Sequence, residues 1–151
     1  MISIVVISIS NPILIGIYKD TKLIDTIAQT GKTSDILPTI TKELLEQYDL
    51  QEIYYVKGPG SYMAIKIAYI FLKTLSITKN IPFFGCDGFE FNNNTPIKAL
   101  GKKYFYKTSN GIEVKLLNPN DTIEEFKLPH TLDKTIFSDE TLPNYYLPAV
   151  E

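Results

Sequence analysis

The residues of this chain whose types and spacing could do chemistry fall into a few short groups. Gly58-Pro59-Gly60-Ser61 lies between the apolar run Ile53-Tyr54-Tyr55-Val56 and a long apolar stretch that ends at Lys79. A proline between two glycines lets the chain turn sharply and open a helix with free amides, so this group is either a phosphate cradle or pure architecture. Gly31-Lys32-Thr33 has the ending of a phosphate-binding P-loop, but that pattern needs a glycine five positions earlier, where Thr26 stands. Ser61 stands at a turn into a helix without the flanking glycines of a nucleophile elbow, which makes it a helix cap instead. His130 is the only histidine and Cys86 the only cysteine, too few for a zinc cluster. The carboxylate pairs Glu124-Glu125 and Asp139-Glu140 lie in polar stretches with nothing apolar to raise a pKa, and they read as solvated faces. Lys98, Lys102 and Lys103 stand beside Tyr104, Phe105 and Tyr106. That alternation suits RNA contact, and equally a half-exposed strand, the reading the pattern favours.

Composition narrows the choice. With 151 residues, 44% hydrophobic and 21% charged, the chain has material for one ordinary core or two small ones. A formal net charge of -2 gives no general attraction to phosphate backbones, so any RNA would be held largely by a partner. A single cysteine excludes an internal disulfide, and Met1-Ile2-Ser3 lacks the basic start of a signal peptide. Lys66 and Lys73 interrupt the longest apolar run. The expectation is a compact protein of a reducing cytoplasm.

The elements that must position these residues follow from patterning. Residues 1–9 are rich in Ile and Val, residues 13–18 and 22–28 are a second and a third apolar run, and the turn signals Asn11-Pro12 and Lys19-Asp20 separate them, which predicts three sequential antiparallel strands. Thr33 or Ser34 then caps a helix with Asp35 in its first turn, Pro38 near its start, and Ile36, Ile40, Leu44 and Tyr48 recurring every four residues. Strand, glycine turn, helix and strand follow up to Gly85. The order predicts an α/β fold with one mixed sheet flanked by helices. Beyond that point Asn92-Asn93-Asn94 reads as a loop, Ser109-Asn110-Gly111 as a hairpin turn, and Pro119, Pro129, Pro143 and Pro148 punctuate short strands and loops. Two parts are expected: residues 1–86 as a first lobe and residues 87–151 as a small second lobe with a C-terminal tail.

The helix after the glycine turn has no clean wet face. Lys66, Lys73, Thr74 and Ser76 share one side of its wheel with Tyr62, Met63, Tyr69 and Ile70. Either the first helix covers it, or the two helices together expose a surface that a partner's helices complete.

The run Gly58-Pro59-Gly60-Ser61-Tyr62, the helix carrying Ile65-Lys66-Ile67, and Ile81-Pro82-Phe83-Phe84-Gly85 together resemble the Gly-Pro-Gly-Ser-Phe-Thr-Gly-Leu-Arg signature region of the TsaB (YeaZ) family. Ser34-Asp35-Ile36-Leu37-Pro38 is similar to that family's Ser-x-x-Leu-Leu-Pro, and Asn144 to Val150 to its closing Tyr-Leu-Arg-x-x-Val-Ala. The resemblance is faint between Gly88 and Leu142. It implies the actin-like ATPase (ASKHA) fold with a shortened second lobe, and a non-catalytic partner of the TsaD subunit. With TsaD and the TsaE ATPase, family members serve threonylcarbamoyladenosine modification of tRNA, and their first two helices pair with TsaD or with a second copy in a homodimer. The chain departs from the pattern in carrying Ser8-Ile9 where members have Asp-Thr, Thr33 for a histidine, Met63-Ala64 for Thr-Gly, and Lys66 for arginine. The acidic residue that active actin-like ATPases use for metal is therefore missing, which points to no cofactor and no nucleotide hydrolysis. On this reading Ile36, Ile40, Leu44, Ile65, Tyr69 and Leu72 are the candidates for the partner interface, and Gly58, Pro59, Gly60 and Ser61 set the angle of the second helix. The alternatives are a small ATPase or glycoprotease-like hydrolase of the same fold, and a self-contained homodimer that binds a small ligand.

Overall fold

The computed structural model describes residues 1–145. Three β-branched runs form β1 (Ile2–Ile7), β2 (Ile13–Lys19) and β3 (Lys22–Gln29), an antiparallel meander. Asp20 and Thr21 close its second turn at positive φ, the hand that matches strand twist. Helix α1 (Thr33–Gln47) leads to β4 (Leu50–Val56), which lies parallel beside β1, and α2 (Tyr62–Lys79) leads to β5 (Phe83–Cys86), parallel to β4. The sheet runs β3-β2-β1-β4-β5, the mixed α/β arrangement that the element order predicts.

The helix ends differ from one another in how they are closed. Ser61 caps α2, its hydroxyl accepting from the Ala64 amide at 3.5 Å, and Asn80 ends it in the left-handed conformation. At α1 the expected side-chain cap is absent. Extended Lys32 occupies the cap position with no side-chain bond, and its carbonyl accepts from the amides of Asp35 and Ile36, both at 3.0 Å. Thr33 is already helical and buried, so packing has drawn it inside the first turn. Pro38 sits in the second turn and leaves the carbonyl of exposed Ser34 without its helical donor.

The sheet alternation splits the core in two. Ile4, Val6, Ile53 and Tyr55 face both helices, meeting Leu37, Ile40, Leu72 and Leu75. Val5, Ile7, Tyr54 and Val56 face the other way. After β5 the chain makes a short turn at Gly88–Phe91 and a second antiparallel sheet, β6 (Ile97–Lys98), β7 (Lys103–Thr108) and β8 (Gly111–Leu116), over a small core of Phe89, Ile97 and Phe105. The hairpin turns at Ser109-Asn110 where the sequence places it.

From residue 117 to 145 the chain has a single short helical turn, Lys134–Ile136, and no strand; the short strands expected between the prolines are loops, with only two bridging pairs, Lys22 to Thr131 and Gly85 to Ser138. These loops do structural work. Phe126, Leu128, Leu132, Ile136 and Phe137 cover the second face of the large sheet. The chain then passes the open edge of β5, where Gly85 and Ser138 exchange backbone hydrogen bonds of 2.9 and 3.0 Å. It reaches the helix face, where the Thr141 carbonyl accepts from the Tyr55 hydroxyl and the Tyr145 ring packs 4.7 Å from that of Tyr62. Within the expected second lobe, then, residues 126–145 pack on the first. The rest of the closing run after Tyr145 lies outside the described residues.

Candidate interaction surface and glycine turn

Both glycines of the turn are closely packed, and Gly60 and Ser61 also border a cavity of ≈ 330 Å³. Gly58 has φ +118°, and a Cβ there would lie 3.0 Å from the Asn144 carbonyl oxygen; a Cβ on Gly60 would lie 2.5 Å from Ile9 Cγ2. The Gly58 carbonyl accepts from the Gly88 amide at 2.9 Å, and the Lys57 carbonyl from the Asn144 amide at 2.7 Å. The turn and Lys57 before it thus each give a carbonyl to neighbouring chain, and through Ser61 the turn fixes where α2 begins.

Beside it a cleft of ≈ 680 Å³ opens between the β1–β2 turn and the starts of both helices. Ser8, Ser10, Asn11, Thr30, Lys32, Thr33 and Ser61 line it together with Gly31, so the P-loop-like triplet does reach this cleft. Its lining contains no carboxylate, and the Ser8 hydroxyl, at the position where the family pattern has aspartate, donates to the Ala64 carbonyl at 3.3 Å. Among the described residues no group of three His, Cys, Asp or Glu side chains could hold a metal ion. Cys86 is buried, and burial pushes its thiol far up, so it stays protonated. His130 lies along the β3 edge, its carbonyl accepting from the Leu23 amide at 2.9 Å, whereas Ser61 follows β4.

Of the interface candidates, Ile36, Ile40, Leu44, Ile65 and Leu72 lie in the core, Ile65 and Leu72 with no exposed surface at all. Tyr69 is half-buried, its ring 6.4 Å from Tyr55 and 6.3 Å from Phe83. These side chains hold the helices on the sheet. The outward face of α2 is built from others: Met63, Ile70 and Ile77 are 55%, 52% and 70% exposed, with half-buried Ile67 and exposed Thr74 between them. The spacing 63, 67, 70, 74, 77 alternates four and three residues, the seam of a helix that packs on another helix. Ile67, Ile70, Phe71 and Thr74 also border a groove of ≈ 300 Å³ whose far wall is Thr33, Ser34, Leu37 and Pro38 of α1. The signal was in the sequence as a heptad. It was hidden because α2 is apolar nearly all round, so a wheel merges the sheet-facing stripe with the outward one.

No protein-family model matches the chain, and no curated protein sequence matches it. Solved structures do. YeaZ from Pseudomonas aeruginosa superposes with a TM-score of 0.56 at 9% identity, over 82% of this chain and 66% of that one. A second structure, of an uncharacterized protein with similarity to peptidase YeaZ from Pseudomonas aeruginosa, gives 0.54 at 10% identity over the same shares. The chain has the fold of these proteins and spans just under two thirds of their length.

Proposed function

We propose that this chain is a YeaZ/TsaB-like accessory subunit of the actin-like (ASKHA) fold, without catalysis of its own, that docks the outer face of its α1–α2 pair on the TsaD catalytic subunit in tRNA threonylcarbamoyladenosine modification. TsaE joins as the ATPase of the larger assembly, tRNA is held through the partners, and the setting is the cytoplasm. The observation that carries the reading is the uncovered seam of Met63, Ile70 and Ile77 beside the α1 groove, three large apolar side chains each more than half exposed on one helix face. The shared fold with YeaZ and the matching glycine-turn motif support the family assignment. The chemistry favours a scaffold over an enzyme: the cleft beside the turn has no carboxylate for a metal, and the serine that opens α2 caps the helix. No helix of the described residues is long and apolar enough to cross a membrane.

The seam also fits a second copy of this chain, because one helix lying antiparallel on its twin makes a self-complementary contact. Co-purification with the TsaD protein of the same organism, followed by the mass in solution, separates the two. A heterodimer that Ile70→Glu abolishes, with circular dichroism unchanged, supports the proposal, since a charge in a partner-covered apolar site costs several kcal/mol of binding. A chain that stays monomeric or homodimeric with TsaD present overturns it.

A further inference from the structure

The β6–β7–β8 sheet sends two unlike sets of side chains to its two faces. Ile97, Phe105, Ile112 and Val114 point inward to the small core. On the outer face the register sets Lys98 opposite Tyr104, Tyr104 opposite Lys115, and Tyr106 opposite Glu113. Both tyrosines are half-buried, and the two lysines and Glu113 are exposed. The Lys98 ammonium lies 5.0 Å from the Tyr104 ring centre and that of Lys115 lies 4.4 Å from Tyr106. The Tyr106 ring is held in place, its hydroxyl donating to Asp121 at 2.8 Å and accepting from the Asn118 amide at 3.0 Å.

Residues 97–117 hold five lysines and one glutamate in a chain whose net charge is -2. Lys98 and Lys115 belong to the outer face and Lys102 to the β6–β7 turn, whereas Lys103 and Lys107 alternate onto the other side, where Lys107 pairs with Asp87 at 2.8 Å. A half-exposed strand needs alternation, but it does not need lysine ammonium groups laid against fixed aromatic rings on its outer face. We infer that this face binds single-stranded nucleic acid, two bases stacking on Tyr104 and Tyr106 while Lys98, Lys115 and Lys102 of the β6–β7 turn meet backbone phosphates. Tyrosines two positions apart on a strand stand about 6.6 Å apart, one base to each ring along an extended single strand. Exposed lysine-ring contacts are weak, as is the exposed bond from the Lys98 ammonium to the Gly101 carbonyl, so both ammonium groups can move to phosphates when bases take the rings. Glu113 and Asp121 flank the patch, and Glu124 and Glu125 line a cavity together with Lys98 and Tyr104; these four acids hold the affinity to a modest, salt-sensitive level. Paired bases cannot reach the rings, so duplexes are disfavoured. The surface is separate from the α1–α2 seam, and the inference does not rest on what that seam binds.

The test is fluorescence anisotropy of labelled oligouridylate and oligothymidylate, each of about 12 nucleotides, titrated with the full chain. Saturable binding is expected at low salt, weakening roughly twentyfold between about 50 and 200 mM salt if three phosphates are contacted. Tyr104→Thr and Tyr106→Thr should each weaken it about tenfold with the circular dichroism spectrum retained. If Tyr106→Thr fails to fold, Tyr104→Thr and the exposed Lys115→Glu carry the test, and both must weaken binding. No binding at low salt, or affinity that survives loss of the rings, overturns the inference.

Discussion

The two faces of the five-stranded sheet are covered by different means. One carries α1 and α2, each following the strand before it in sequence, so its core forms from residues close in the chain and with a clear helical period. The other is covered by loops of residues 126–137, returning across most of the chain and held by isolated contacts. Tyr18 is one anchor: its buried hydroxyl, pushed up to about 12 by burial, donates to the Pro129 carbonyl at 2.7 Å. Glu52 is another, bridged by Lys134 at 2.8 Å. The helical layer is self-sufficient on its inner side and leaves an apolar stripe exposed on its outer side. The loop layer turns Leu132, Ile136 and Phe137 inward, and the chain beyond it leaves Leu142 exposed, without the repeating spacing of the α2 seam.

That contrast can be tested from its strongest element down. Leu72 has no exposed surface and Ile70 is its half-exposed neighbour on the same helix. Leu72→Glu should leave no cooperative thermal transition, because it buries an unpaired charge. Ile70→Glu should melt within about 0.5 kcal/mol of the parent and lose only association. Equal effects from the two would erase the distinction between sheet-facing and outward residues of α2. On the loop face, Leu132→Ala should cost about 2–4 kcal/mol by urea denaturation, since Leu132 is buried in the second cluster. A cost near zero would mean that the tail merely rests on the sheet.

Gly60→Ala should cost about 1–3 kcal/mol, because the new methyl meets the stiff, branched Ile9 at 2.5 Å. An open phosphate cradle would instead tolerate alanine, so a neutral result would reopen that reading of the turn. The smallest effect concerns the Glu52 anchor. Burial works against its charge, but hydrogen bonds from Lys134, Ser3 and Tyr54 outweigh it and hold the carboxyl below its usual range. A depressed folded pKa gives stability that is present above the unfolded value of about 4.3 and is lost as pH falls through the folded one. Unfolding followed from neutral pH to below that value should show this loss, of no more than about 1 kcal/mol, and Glu52→Gln should flatten it.

The helical face was legible because its period is local. The β1–β2–β3 meander, both helices, the Ser61 cap and the β7–β8 hairpin stand where patterning puts them. The Lys32 start of α1 was not legible, since burial of Thr33 outweighed the capping preference of its hydroxyl. Nor was the fate of residues 117–145: prolines and isolated hydrophobics such as Leu132 and Phe137 have no period, and only the sheet face that receives them gives them meaning. The interface candidates show a subtler limit. Ile36, Ile40, Leu44, Ile65 and Leu72 carried the strongest helical signal, and that signal reports burial against the chain's own sheet.

By itself the sequence determined the element order, the mixed sheet, the place of the glycine turn, and the want of an acidic residue at Ser8 and of a second histidine, because these depend on residue type and short-range spacing. Only the tertiary structure decided which side of α2 faces outward, that Gly58 and Gly60 are packed against Asn144 and Ile9, and that the tail closes the second face and the β5 edge. A helix that is apolar all round fixes its burial but not its orientation. Orientation is set when one stripe meets a sheet, and what is left over becomes the surface.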